Sequence, residues 1–255
     1  MSDLPDSLNA DLSQPISVKR ALEILSRGTI QDEHGLLAWG SNYAYLVPVT
    51  DGEAILLAVY KPQRGERPLW DFPDGSLCYR EVAAFLVSEL LNWQIVPPTV
   101  LRSGPYGLGS VQVFIQHDPD MNYFSPFPPA CREQLQRIVV FDYITNNADR
   151  KGGHCLLDPQ GHLWGIDHGV TFHYAPKLRT VIWDFAGQAL PEAILQDLRA
   201  LCDVLGKANA AAVQALQGLI SEREYTAFRA RVERLIEVGH FPHPGPGPNY
   251  PWPPV

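Results

Sequence analysis

Apolar and polar positions change period several times along this chain, and the changes mark its elements. Residues 43–48 and 55–60 are apolar, aromatic and β-branched, as strands are. Asp51-Gly52 lies between them and predicts a hairpin, because this pair accepts the backbone that a tight turn imposes. Residues 99–102 and 110–116 predict two more strands around a Gly-Pro-Tyr-Gly-Leu-Gly turn. Helical spacing marks residues 22–28, 80–91 and 130–146. The second of these puts Val82, Phe85, Leu86 and Leu90 on one face, and Pro97-Pro98 follows it. The third points Leu135, Ile138, Val139, Phe141 and Ile144 inward. Residues 191–205, 209–220 and 222–238 repeat the helical pattern without catalytic-looking side chains. Residues 155–158 and 162–167 predict a short hairpin through the turn Asp158-Pro159-Gln160-Gly161.

That last hairpin is flanked by two loops that carry acids. Before it runs Asn146-Asn147-Ala148-Asp149-Arg150-Lys151-Gly152-Gly153-His154, and at its end stands Gly165-Ile166-Asp167-His168-Gly169. One rigid hairpin would bring Asp149 and Asp167 to the same end. Two carboxylates there suit metal-assisted phosphoryl transfer, one orienting the attacking hydroxyl and one holding the ion. For either loop alone, a plain turn explains Asn and Asp as well. The upstream half adds a cation and a third acid. Lys61 closes the apolar strand Ala58-Val59-Tyr60, with Pro62 after it lacking the N–H to extend a ladder. Glu81 falls in the first turn of the helix expected over 80–91, where the helix dipole favours a carboxylate and from which it could reach Lys61.

Taken in order, Ala58-Val59-Tyr60-Lys61-Pro62, the helix of Glu81, Gly109-Ser110-Val111-Gln112-Val113-Phe114, Asp149-Arg150 and Ile166-Asp167-His168-Gly169 resemble the phosphatidylinositol 3- and 4-kinase superfamily. The likeness is nearest to type II phosphatidylinositol 4-kinases and short bacterial proteins of the same kinase-like fold, and covers roughly residues 35–185. It implies an α+β, two-lobed protein-kinase-like fold, with a small β-rich N-lobe over 15–116 and a mostly helical C-lobe over 117–240. By the same resemblance, Lys61 pairs with ATP phosphates, Glu81 is its partner, and Gln112, Val113 and Phe114 belong to the adenine-binding hinge. Asp149 is the catalytic-loop aspartate and Asp167 the metal-binding one, with Mg²⁺ or Mn²⁺ implied. Three departures stand out. His154 occupies the place of the Asn that usually serves as second metal ligand, Asp-His-Gly replaces Asp-Phe-Gly, and no Gly-x-Gly-x-x-Gly occurs, which leaves Gly40-Ser41-Asn42 to cover the phosphates with Ser41 and Asn42.

Composition narrows the partners. A chain of 255 residues can bury a substantial core, and a net charge of −8 argues against a nucleic-acid surface or an electrostatic membrane footprint. No run approaches the roughly 18 apolar residues of a membrane span, and no secretory signal opens the chain. Cys78, Cys131, Cys155 and Cys202 lack metal-ligand spacing, so reduced core thiols and a cytoplasmic setting are expected. Residues 1–14 are polar and expected to be disordered. The Pro-rich tail over 241–255 should be extended and polyproline-like, a frayed end or a ligand for an aromatic-lined partner domain. Between Asp167 and Asp184, Lys177, Arg179 and Trp183 would shape the acceptor pocket, but nothing selects among a lipid, a protein or a small alcohol. Two other functions fit: a nucleotide-binding pseudokinase scaffold, or a metal-dependent hydrolase built on Asp149, His154, Asp167, His168 and His173.

Overall fold

The computed structural model describes residues 16–31, 36–37, 43–125 and 127–255. These residues form two compact units, one of residues up to Cys78 with Pro97–Phe114, the other of Tyr79–Val96 with Ile115–Val255.

The first unit is a curled antiparallel sheet with one helix, α1 (Val18–Arg27), laid on it. Its strands are β1 (Thr29–Ile30), β2 (Leu36–Leu37), β3 (Ala44–Thr50), β4 (Ile55–Pro62), β5 (Thr99–Gly104) and β6 (Gly107–Val113). The order is β1-β3-β4-β6-β5, with β2 also pairing with β3. The Asp51-Gly52 hairpin forms as expected, with Thr50 opposite Ile55. The Asp51 carboxylate accepts the N–H groups of Glu53 and Ala54 and so fixes the turn. Helix α1 starts earlier than expected because Ser17 caps it, accepting the Arg20 N–H. It buries Ala21, Ile24 and Leu25 against Val47, Val49, Ala58 and Tyr60. In the ladder Lys61 stands opposite Ser110, and Pro62 still pairs with Gly109. Gly109 is required there, since a Cβ would lie 2.5 Å from the Lys61 carbonyl oxygen.

Helix α2 (Leu77–Leu90) begins three residues before the expected start at 80. The cause is non-local. The Glu66 carboxylate, eleven residues upstream, accepts the N–H groups of Leu77 and Cys78 and satisfies donors that a helix start leaves open. Glu81 therefore sits in the second turn, not the first, and the helix is buried almost all round rather than on one stripe: Ala83, Ala84, Phe85, Val87 and Ser88 are all inside.

In the second unit, α3 (Arg132–Thr145) leads into the loop of Asp149. The hairpin of β7 (Cys155–Leu157) and β8 (Leu163–Gly165) follows, tied at its turn by Asp158, whose carboxylate accepts from Gln160, His162 and the Trp164 indole. Helices α4 (Glu192–Leu205), α5 (Ala211–Gln217) and α6 (Glu222–Val238) complete it, α6 packing on α3, α4 and α5. Helix α6 carries a full capping box, Ser221 with Glu224, and stops at Gly239 in a left-handed conformation (φ 66°). No helix among the described residues is long and apolar enough to cross a membrane.

The tail is extended, but it is not adrift. Phe241 is buried beside Phe185, exchanges backbone hydrogen bonds with Gln188 and Gly187, and leads a chain that runs back over the Asp149 loop.

Candidate active site

The loop of Asp149 is held by a frame that begins inside α3. Asp142 is fully buried on that helix, between apolar neighbours that would otherwise reject a charge. Its carboxylate takes the Arg150 Nε at 2.8 Å, the Arg150 Nη2 at 2.9 Å and the Asn147 Nδ2 at 2.9 Å. Arg150 is itself fully buried and spends its remaining donors on the carbonyls of His154 (3.1 Å) and Ile166 (2.9 Å) and on the His168 Nε2 (2.7 Å). All five guanidinium N–H groups thus have acceptors. One side chain ties together the helix, the loop of Asp149, the start of the hairpin and the segment after Asp167.

The two asparagines finish the frame. Asn146 caps α3 with a left-handed backbone (φ 56°), which Asn tolerates. Its amide clasps the carbonyls of His173 and Ala175 and the N–H of Lys177. Asn147 accepts the Asp149 N–H at 3.0 Å, while its own carbonyl takes the Arg179 N–H. The Asn-Asn-Ala-Asp-Arg run is a turn, with Asn147 bonded to the Asp149 N–H and Arg150 fastening the loop to α3.

Asp149 keeps a third of its side chain exposed, with the Lys151 Nζ 3.6 Å from its carboxylate. Burial raises its pKa from 3.8 to about 6, and the charge of Asp167 adds to this, against the pull of Lys151 and Arg179. The charge of Asp167 thus reaches Asp149. Asp167 has φ +60°, rare for a residue with a side chain and often found where function fixes the backbone. The His154 Nε2 lies 3.4 Å from its carboxylate. The Lys151 N–H reaches the His154 Nδ1 at 3.4 Å, so the ring proton belongs on Nε2 and points at Asp167.

Glu81 is buried and accepts the backbone N–H of His168 at 3.0 Å, which ties α2 to the Asp167 segment. Its neighbour Arg80 anchors the helix by a buried ion pair to Glu224 (2.6 Å) and a bond to the Thr171 carbonyl. Both Asp149 and Asp167 offer oxygen, and their mutual repulsion is what a divalent cation relieves. The pair fits a hard, oxygen-preferring ion such as Mg²⁺ or Mn²⁺.

The remaining expected residues are placed as follows. His168 is buried edge-on to Phe141 and bonded to Arg150, and the His173 Nδ1 accepts the Ala175 N–H. Among the described residues no three His, Cys, Asp or Glu side chains are grouped to hold a metal, so the five-residue hydrolase set does not form one cluster. In the first unit, the Gln112 amide donates to the Thr99 hydroxyl, and the N–H groups of Val113 and Phe114 donate to the carbonyls of Pro98 and Leu57. These bonds knit the end of β6 to its neighbours within the unit. Ser41 and Asn42 lie outside the described residues.

The profile described as "Phosphatidylinositol 3- and 4-kinase" matches residues 98–210, a span containing Asp149, His154 and Asp167. Protein Rv2133c of Mycobacterium tuberculosis is 39% identical over 267 residues, covering 87% of this chain and 95% of that protein. The chain belongs to the phosphatidylinositol 3-/4-kinase-like superfamily. Rice phosphatidylinositol 4-kinase gamma 4 shares 29% identity over 161 residues, 55% of this chain but 26% of that much longer protein. Among solved structures, hydra Fam20 with sugar superposes with a TM-score of 0.53 at 14% identity, covering 89% of each chain. The Helicobacter pylori proinflammatory kinase CtkA gives 0.50 at 12% identity, over 85% of this chain and 95% of its own. These likenesses show the two-lobed kinase-like fold.

In this superfamily member, sequence reading singled out the acids but missed their frame. Asp142 gave a signal, a lone charge in the apolar stretch 138–144. Arg150, Asn147 and the Arg80–Glu224 pair gave none, because their partners are distant in sequence.

Proposed function

We propose that this chain is an ATP-dependent phosphotransferase that moves the γ-phosphate to a hydroxyl. The observation that carries the proposal is Asp149: a carboxylate of raised pKa, rigidly framed, beside a second carboxylate that can take an ion. Asp149 would orient the acceptor hydroxyl and take its proton as the new P–O bond forms. Asp167 would hold Mg²⁺ or Mn²⁺, which when bound neutralises phosphate charge. His154, with its proton directed at Asp167, would orient that carboxylate, and it could reach an ion itself only in the other tautomer. Lys61 would meet the nucleotide phosphates. Glu81 would keep the Asp167 segment in register through the His168 N–H.

The test is turnover of γ-labelled ATP with Mg²⁺ and Mn²⁺ in turn. Asp167→Ala should weaken metal–nucleotide binding, whereas Asp149→Asn should bind normally and lose roughly 10²–10⁴ in rate. Equal turnover by wild type and Asp149→Asn removes that residue from the mechanism. His154, standing where the family has Asn, favours one other reading, a nucleotide-binding module without transfer. ATP binding with no turnover in any form would establish that reading instead.

A further inference from the structure

The last six residues before the terminal Val255 lie across the two segments that frame Asp149. The Gly152 N–H, three residues past Asp149, donates to the Pro254 carbonyl at 2.8 Å. The Thr180 N–H and the Trp183 indole N–H donate to the Asn249 carbonyl at 3.0 and 3.3 Å. Pro251 is buried between these two anchor points, while Tyr250 and Trp252 point outward with 59% and 89% exposure. Asn249 also closes a turn before the strap, bonding Gly245 and Gly247 through its side chain. Two aromatic residues flank the Gly152 anchor. Phe124 packs so closely on Gly152 that a Cβ there would fall 2.8 Å from its ring. Tyr123 donates its hydroxyl to Asp184 and its N–H to the Gly152 carbonyl.

Three neutral donors aimed at main-chain carbonyls, with aromatic side chains beside one of them, read an extended polypeptide. Prolines at 251, 253 and 254 suit this role because they bring carbonyls without N–H groups needing partners. Aromatic-lined grooves with a few such donors are how polyproline-type chains are recognised elsewhere. A phosphorylated lipid headgroup would instead be met by charged donors, and the three that hold the tail are neutral, although Lys151 and Arg179 stand next to them in the chain.

We propose that the acceptor is a polypeptide hydroxyl presented in extended chain along this groove, and that residues 249–254 occupy the groove as an internal competitor. The proposal rests on the phosphotransferase reading. In the transfer, the acceptor oxygen bonds to the γ-phosphorus, the bond from that phosphorus to the β,γ-bridging oxygen breaks, the hydroxyl proton passes to Asp149 and ADP leaves.

The experiment uses the full chain carrying Asn249→Ala with Pro251→Asp, which opens the turn and places a charge where Pro251 is buried. Asn249→Ala alone is the milder second variant. Acceptors are a mixture of unstructured Ser-, Thr- and Tyr-containing peptides and, separately, phosphatidylinositol vesicles. A tethered competitor at an effective concentration of about millimolar suppresses an exogenous peptide roughly tenfold or more, so both variants should gain about that in peptide transfer. A labelled synthetic peptide of residues 244–255 should bind the double variant and compete with the peptide acceptor, and should not bind wild type. The proposal is overturned if the labelled peptide binds both proteins equally or neither. It is also overturned if the variants gain only on vesicles, or lose transfer to every acceptor while melting as wild type does. Absence of ATP turnover in all forms, with the labelled peptide binding the variant alone, would instead sink the kinase reading and leave the groove in place.

Discussion

Replacing Arg150 by Met tests the frame around Asp149 most directly. The substitution keeps much of the side chain's length but removes five hydrogen bonds, two of them to Asp142 at 2.8 and 2.9 Å. Asp142, fully buried, would be left with the Asn147 amide as its remaining donor in the frame. Stranding one member of a buried ion pair costs about 3–5 kcal/mol. The lost bonds to the His154 and Ile166 carbonyls and to His168 each add roughly 0.5–1.5 kcal/mol where water cannot replace them. A loss of about 4.5–9.5 kcal/mol approaches the whole stability of many domains. The second replacement separates the terms. In Asp142→Leu with Arg150→Met the stranded charge is gone, so the double variant should recover about 2–4 kcal/mol relative to Arg150→Met alone. Urea unfolding of wild type, both single variants and the double variant gives the coupling energy, provided fluorescence and circular dichroism transitions coincide. If Arg150→Met costs less than about 1 kcal/mol, or the two changes are simply additive, Arg150 is not the tie described here.

Three other expectations follow from the same geometry. If Asp149 takes the acceptor proton, kcat/KM should fall as pH drops through about 6, the pKa burial imposes, and Lys151→Met should move that limb upward by removing a lowering charge; a limb that stays near pH 4 in both proteins would falsify the role. Because the Asp149 pKa is raised in the fold, its ionisation costs stability as pH rises from about 4 to 6, so Asp149→Asn should stabilise the protein above pH 7 and do nothing below about pH 4. Discounted for its partial exposure, the gain is about 1 kcal/mol, read from melts at the two pH values, and an equal gain at both would point to another cause. Glu224→Gln should cost about 3 kcal/mol by stranding buried Arg80, and since Arg80 adjoins Glu81, it should also lower kcat more than it raises KM; unchanged kinetics would uncouple the pair from the site.

What could be read from the sequence was local. Asp51-Gly52 and Asp158-Pro159-Gln160-Gly161 announced their hairpins because the turn residues carry the reason within themselves. Helix α6 appeared with its observed limits because Ser221, Glu224 and Gly239 mark both ends. Helix α2 was placed three residues late because its cap, Glu66, lies across a loop. The acids of the site were legible from residue type and order. Their support was not, since Asp142, Asn147 and Arg150 differ from ordinary helix and turn residues only in what they meet after folding. The tail misled for a related reason: its composition describes a chain with no core of its own, not one that borrows a surface.

His168 has a consequence for drug design. In protein kinases the residue after the metal-binding aspartate is Phe, and its packing distinguishes active from inactive states. An apolar ring can leave one greasy pocket for another at modest cost. The ring at 168 cannot, because it completes the coordination of a buried guanidinium at 2.7 Å, and swinging it out would orphan an Arg150 donor beside a charged partner. Compounds that work by prying this loop outward and filling the vacated space should find no such vacancy to exploit.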